Sequence, residues 1–379
     1  MIELTRPVFD QHELDLLKSC LDSCWVTQGP LTQKFEALIA AEHEVRHALA
    51  TTSCTAALHL ATMAMELEPG DEVIVPAFTW VTSAHCAEYV GAKAVFADVD
   101  LDTFNLSPAA LEAAITRRTR AIVAVHLFGL PADMDPILAI ARRHNLRIIE
   151  DAACAIATRY HGRPVGSIGD IGCFSFHPRK IITTGEGGAV TTNDDALADR
   201  VRALRNHGAT GFLDPQPQRP MPWHMSSFNV LGYNLRLSDI QAAVGVAQWD
   251  RLEGLVNDRR RLADRYNDLL KGVAGVVTPK VPDGCTHTYQ SYVIRLLEGG
   301  VERRNRAMTH MASQAIQTRP GTHAVHRLGY YVNKYGLHAD QFPNAVLGED
   351  TTITLPLFPG MSQSQQDLVV EQLKIGLGQ

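Results

Sequence analysis

Between residues 46 and 195, short and almost wholly apolar runs alternate with longer stretches of helical character, and this alternation does most to limit what the chain can become. Val73-Ile74-Val75 closed by Pro76, Ala92 to Val99, Ala121 to Phe128 and Leu146 to Glu150 read as strands. Cys54 to Leu67, Ser107 to Ile115 and Asp135 to His144 read as the helices between them. Ser53 is placed as an N-cap, Ser107-Pro108 as a helix start and Pro69-Gly70 as a stop. Strands that are continuously apolar are covered on both faces, so the pattern predicts an α/β fold with a parallel or mixed sheet between helical layers. Such sheets collect ligands beyond the carboxyl ends of their strands. Pro76 to Trp80 and Asp151 fall there.

Further along, residues 196 to 271 read as largely helical, interrupted by a polar, proline-bearing surface loop from Asp214 to Trp223. Past residue 272, strands at Tyr289 to Leu296 and Thr351 to Leu355 mix with helices at Val301 to Gln314 and Ser362 to Leu377, the pattern of a smaller α+β domain. We therefore expect a large cofactor-binding domain over residues 1–255 and a small C-terminal domain over 256–379. With 45% hydrophobic residues in 379, both can bury a core. The net charge of -6 includes no basic block, which gives nucleic acid no footing. No apolar run approaches the ~20 residues of a membrane span, and the N-terminus is too acidic for a signal peptide. Seven cysteines, odd in number and irregularly spaced, suit a reducing cytoplasm. Cys20 and Cys24 have no second ligand pair, and the sixteen histidines show no HExxH spacing, so no metal site is expected.

The chemistry concentrates in GCFSFHPRKIITTGEGGAVTTN, residues 172 to 193. Lys180 stands there between two apolar stretches, directly before a turn too rich in glycine to be helix. Asp151 closes the strand-like run before it. A Schiff-base lysine and an aspartate facing a pyridinium nitrogen are the two groups that pyridoxal phosphate chemistry requires. Ser53-Cys54-Thr55 opens a helix, whose free N–H groups and dipole suit a phosphate, and Trp80 could stack on a ring. Taken singly, each has an ordinary alternative: an N-cap at Ser53, a core tryptophan, a helix-capping aspartate, a solvated lysine. Together, in this order, they point to one cofactor.

The chain resembles the DegT/DnrJ/EryC1/StrS aminotransferases, a sugar aminotransferase branch of the fold-type I pyridoxal phosphate enzymes. The likeness runs nearly end to end, through WVTQGPLTQKFE, SCTAALHLA, PGDEVIVPAFTWVTSA, GAKAVFADVD, IIEDAACA, GDIGCFSFHPRKIITTGEGGAVTTN, NHGAT, GYNLRLSDIQAAVG, FPNA and TLPLFPGM. The resemblance implies a fold-type I large domain with a mostly parallel mixed sheet. It implies that Lys180 bonds the cofactor and then moves protons, that Asp151 pairs with the ring nitrogen, and that Trp80 stacks on the ring. It further implies that Cys54, Thr55 and Ser175 hold the phosphate, and that Asn234 reaches the phosphate of a neighbouring subunit, so that a homodimer shares its sites. Cys154 stands where this family often has glutamine or histidine near the ring hydroxyl, and a thiol is the weaker hydrogen-bond partner. TRPGTHAVH, residues 318 to 326, departs from the tyrosine-containing form of many relatives, and Arg319 and His323 in it are candidates to meet a sugar or its phosphates.

The activity implied is transfer of an amino group from an amino acid, with L-glutamate expected, to a keto sugar carried on a nucleotide. Pyridoxal 5'-phosphate and pyridoxamine 5'-phosphate would alternate as cofactor forms, with the Lys180 amine lowered by a neighbouring cationic cofactor. A keto cyclitol is an alternative acceptor. A pyridoxamine phosphate-dependent sugar dehydratase is an alternative activity, although the resemblance then implies histidine at position 180. A small-molecule sensor that has lost its chemistry fits poorly with Lys180, Asp151 and Asn234 all retained. Nicotinamide and ATP enzymes lack their glycine motifs here: no GxGxxG follows a strand, and GSIGDIG at 166–172 has the wrong spacing.

Overall fold

Seven strands form the central sheet of the computed structural model, which describes residues 1–212 and 223–379. They are β1 (His47–Thr51), β2 (Glu72–Pro76), β3 (Lys93–Ala97), β4 (Thr119–Val125), β5 (Arg147–Asp151), β6 (Ile171–Ser175) and β7 (Gly188–Thr192), in spatial order β1-β7-β6-β5-β4-β2-β3. The run from β6 to β3 is parallel, and β7 is antiparallel to both of its neighbours. This is the mostly parallel mixed α/β sheet that the sequence leads one to expect. Every residue of β2 and of β7 is buried, Glu72, Thr191 and Thr192 included, as expected of strands covered on both faces. Alternate residues serve opposite layers. Val73 and Val75 pack with the helix Cys54–Ala64, while Ile74 packs with the helix Met134–His144.

The strand ends set up the site. Helix Cys54–Ala64 starts just after β1, with the Ser53 hydroxyl accepting the N–H of Ala56 at 3.1 Å as its N-cap. The chain leaving β2 makes a short pairing, Phe78–Thr79 with His323–Ala324. β4 stops at Val125 rather than continuing to Phe128, because Phe128 takes a left-handed φ of 59° inside a 3-10 turn, Leu127–Gly129. Asn105 fixes that turn: its carbonyl accepts from Leu127 N–H at 3.0 Å, and its amide donates to the carbonyls of Leu130 and Pro131.

Three antiparallel strands, β8 (Val276–Val277), β9 (Tyr292–Leu296) and β10 (Thr352–Leu355), join helices Gly300–Ser313 and Gln363–Gly376 in a separate C-terminal core that includes Tyr292, Ile353 and Leu373. The expected division at residue 255 falls inside one 19-residue helix, Leu252–Leu270. Leu252, Leu255 and Val256 pack with helix Pro30–Glu42, whereas Leu262, Ala263, Tyr266 and Leu270 belong to the C-terminal core. Ile2 also joins that core, bridged to Ile316. We propose that the two domains part along this helix.

Residues 196–271 are less helical than expected. A hairpin, Ala209–Phe212 with Ser226–Phe228, interrupts helices Asp195–Leu204, Asp239–Trp249 and Leu252–Leu270. Its strands are short, and Ser226–Phe228 is largely exposed, so backbone pairing there leaves no apolar period in the sequence. Of the surface loop expected from Asp214 to Trp223, all but Trp223 lies outside the described residues. No helix among the described residues is long and apolar enough to cross a membrane.

Candidate active site

A cleft of about 460 Å³ opens beyond the carboxyl ends of β5 and β6. One wall is the start of helix Cys54–Ala64. Ser53 satisfies the N–H of Ala56 with its hydroxyl and that of Ala57 with its carbonyl. The N–H groups of Cys54 and Thr55 have no partner among the described residues, and both residues line the cleft. Two unspent donors on a helix dipole make a site for an anion. Gly188, the first residue of β7, lets the strand approach this turn closely. A Cβ there would lie 2.4 Å from the carbonyl carbon of Ser53 and 2.6 Å from the nitrogen of Cys54, so any side chain would displace the donors. Ser175, at the end of β6, adds its hydroxyl to the lining.

Lys180 sits on the turn between β6 and β7. That turn closes on itself, with Phe176 N–H donating to Gly187 O at 2.9 Å and Thr184 N–H to Phe176 O at 3.0 Å. The Thr183 hydroxyl also donates to Phe176 O, and Gly185 takes a φ of 82° at the bend. Gln241, in the first turn of helix Asp239–Trp249, donates to the carbonyl of Glu186 and ties down the far end. The lysine amine therefore projects from a braced loop and donates to Cys154 Sγ at 3.1 Å. Burial pulls this amine toward neutrality, but Cys154, Cys54 and Asp151 together outweigh it and hold the amine above its ordinary value. In the free chain it is an ammonium. Any lowering must come from the cofactor.

Asp151 is 5% exposed and ends β5. Its Oδ1 accepts from the N–H of Ala153 at 3.2 Å and its Oδ2 from the hydroxyl of Ser83 at 2.6 Å. Burial first and Asp151 second push the Cys86 thiol up to about 12 and the Cys54 thiol well above its ordinary value. Beside it Glu150 is fully buried. Burial alone would raise this carboxyl, but His126 and the N–H groups of Gly169 and Gly166 hold it below its ordinary value. His126 Nδ1 accepts from Ala132 N–H, which leaves the ring proton on Nε2, 2.9 Å from Glu150 Oε2.

Trp80 is 52% exposed at the mouth, its ring 5.7 Å from that of His323. His323 stands behind it, within 3.8 Å of Glu349, and not on the cleft wall. Arg319 does line the cleft, half-buried, and its Nε donates to Pro320 O at 3.3 Å. Burial and the like charge of Arg179 lower it from its ordinary value. Neither arginine has a carboxylate partner among the described residues.

Of the residues singled out in the sequence, Lys180, Asp151, Cys54, Thr55, Trp80, Cys154 and Ser175 all line this one cleft. Asn234 does not: it is exposed, bridged through its backbone to Asn206. Ser83, Thr79 and the Glu150–His126 pair were not foreseen. Ser83 lies within PAFTWVTSA, but one hydroxyl in such a run carries no mark of its partner. His126 follows Val125, which pairs with Asp151 across β4 and β5, so that pairing could be read only once the strand order was known.

The donor set fits a phosphorylated pyridine aldehyde: unspent N–H donors for the phosphate, a lysine amine for the carbonyl, and a buried carboxylate for the ring nitrogen. Known proteins agree. The DegT/DnrJ/EryC1/StrS aminotransferase family matches residues 7–374. GDP-perosamine synthase of Caulobacter vibrioides is 40% identical over 374 residues, which is 98% of this chain and 97% of that protein. Spore coat polysaccharide biosynthesis protein SpsC of Bacillus subtilis is 39% identical over 370 residues, 97% of this chain and 95% of that protein. The PMP form of Spr1654 from Streptococcus pneumoniae shares the fold with a TM-score of 0.95 at 28% identity, covering 100% of this chain and 99% of the other.

Proposed function

This chain belongs to the DegT/DnrJ/EryC1/StrS aminotransferase family, and from that premise we propose that it moves the amino group of L-glutamate to a nucleotide-linked keto sugar. It is a sugar aminotransferase whose cofactor is pyridoxal 5'-phosphate. The finer reading rests on one observation: the Lys180 amine, the Asp151 carboxylate and the free N–H groups of Cys54 and Thr55 meet in a single cleft. The relative named GDP-perosamine synthase makes a guanosine diphosphate sugar the first acceptor to try.

Bound in this cleft, the cofactor supplies a carbonyl to carry the amino group and a ring that withdraws electrons from the carbon bearing it. The chain does the rest. Cys54 and Thr55 N–H groups and the Ser175 hydroxyl would hold the phosphate, Trp80 would cover the ring, and Cys154 would meet the ring hydroxyl. Asp151 holds a proton on the ring nitrogen. Lys180 Nζ would take the proton from the substrate carbon and carry it to the cofactor side. Pairing Asp151 with a ring cation removes one of the charges that keep the lysine amine protonated, the direction a base at neutral pH needs. Arg319 and Arg179 offer positive charge to the anionic parts of donor or sugar. The odd set of free cysteines supports a cytoplasmic setting.

An absorbance spectrum of the holoenzyme tests the donor and acceptor. L-Glutamate should convert the visible band to the pyridoxamine form, and a nucleotide-linked keto sugar should restore it. Restoration by a keto cyclitol alone would replace the acceptor, and a band indifferent to glutamate would remove the donor. Elimination from the sugar without amination would favour a dehydratase, against which Lys180 stands.

Asn234, exposed and outside its own cleft, supports a homodimer in which the partner subunit's Asn234 reaches the phosphate. Asn234→Ala and Lys180→Ala subunits, each impaired alone, should then regain one competent site of the two in each mixed dimer. A confirmed mixed dimer with no recovery, both sites still binding cofactor, would mean that each site is built within one chain.

A further inference from the structure

Asp151 is held from behind by a chain of hydroxyls that the reading above does not use. Ser83, the second residue of helix Thr82–Tyr89, is fully buried, and its Oγ lies 2.6 Å from Asp151 Oδ2 and 3.0 Å from Thr79 Oγ1. Charge settles the direction of both bonds. An ionised carboxylate has no proton to give, so the Ser83 proton goes to Asp151, and Ser83 is left to accept from Thr79. A short hydroxyl bond to a buried carboxylate is among the stronger hydrogen bonds a protein makes. With Oδ1 held by Ala153 N–H, the carboxylate is fixed at both oxygens, and its rotation about the Cβ–Cγ bond is locked. Thr79 is itself anchored: its carbonyl accepts from the Thr322 hydroxyl at 2.9 Å, and its backbone pairs with His323. Thr79 and Thr322 both line the cleft, whereas Ser83 does not.

We propose that Ser83 is the positioning residue of Asp151, fixing the carboxylate in the orientation from which it meets the ring nitrogen of the cofactor, with Thr79 as its support. The proposal rests on the assignment of Asp151 to that nitrogen. Ser83 does not touch cofactor or substrate and acts only through the carboxylate. Trp80 and Thr82, between Thr79 and Ser83 in sequence with Val81, face the cleft, so one short segment carries both the ring-facing aromatic and the support of the carboxylate.

The test is a calorimetric titration with pyridoxamine 5'-phosphate, which needs no bond to Lys180. Ser83→Ala should weaken binding about tenfold or more, the usual worth of a hydrogen bond to a charged group. Ser83→Thr, which keeps the hydroxyl, should restore most of it. In an Asp151→Ala background the same Ser83→Ala change should cost nothing further, because the group it positions is gone. Equal affinity of wild type and Ser83→Ala would overturn the proposal, as would a loss of the same size in both backgrounds, which would make Ser83 a packing residue. If Ser83→Ala does not fold, Thr79→Val serves instead, with about a threefold loss expected in the wild-type background only; no loss would again overturn the proposal. A wild-type chain that fails to bind the cofactor at all would sink the cofactor reading itself, a different failure from either of these.

Discussion

Lys180→Ala should lose at least on the order of 10⁴ in turnover while still binding pyridoxamine 5'-phosphate, because one side chain serves both as covalent partner of the carbonyl and as carrier of the proton. The geometry gives no substitute. Cys154, 3.1 Å from the amine, has a sulfur that accepts from Lys180, and a thiol there would be a poor replacement for a lysine base. The phosphate donors of Cys54 and Thr55 and the carboxylate of Asp151 belong to other elements, so the cofactor's two ends remain held when the lysine is gone. The check is a rate with donor and acceptor beside a binding titration on the same sample. Turnover within tenfold of wild type would remove Lys180 from the chemistry, and loss of binding along with rate would make its role structural.

Glu150→Ala should destabilise the fold by about 3–5 kcal/mol, since each buried donor left unsatisfied costs about 1–3 kcal/mol. Glu150 accepts from Gly166 N–H at 2.8 Å, Ile168 N–H at 2.8 Å and Gly169 N–H at 2.6 Å, besides His126. Loss of the carboxylate strands four donors around a fully buried position. Against a total stability of ~5–15 kcal/mol, that is a large share. The pH dependence follows in sign. Glu150 is held below its ordinary value of 4.5 in the folded chain, so the folded state binds its proton less readily than the unfolded one. Its contribution is full above the ordinary value and is lost as pH falls through the depressed one. Denaturant unfolding near neutral pH and again below pH 4.5 should show the gap between wild type and variant narrowing toward acid. A gap independent of pH would contradict the ionised state assigned to Glu150.

The sheet was legible because its strands are largely apolar and its helices have marked starts: Ser53 caps where its position suggests, and Ser107 and Ser362, read as the first residues of their helices, are the N-caps. Lys180 and Asp151 were legible because each is a local event, a lysine before a glycine turn and an acid at a strand end. What the sequence hid depends on which strands are neighbours. Nothing in it pairs His126 with Glu150 or Ser83 with Asp151, since each contact joins segments brought together only by the order β6-β5-β4-β2. The hairpin Ala209–Phe212 with Ser226–Phe228 escaped because it pairs backbone on an exposed surface. The buried Asp239 escaped for a related reason. Its carboxylate accepts the N–H groups of Gly29, Leu31 and Thr32 at the start of helix Pro30–Glu42, more than two hundred residues away in the chain.

The most direct test of the whole account is to reduce the holoenzyme with borohydride, digest it, and locate the phosphopyridoxyl group by peptide mass. The label should sit on Lys180 and on no other lysine, and should disappear from the Lys180→Ala protein. A label on a different lysine, or none on a folded enzyme saturated with pyridoxal 5'-phosphate, would contradict the account.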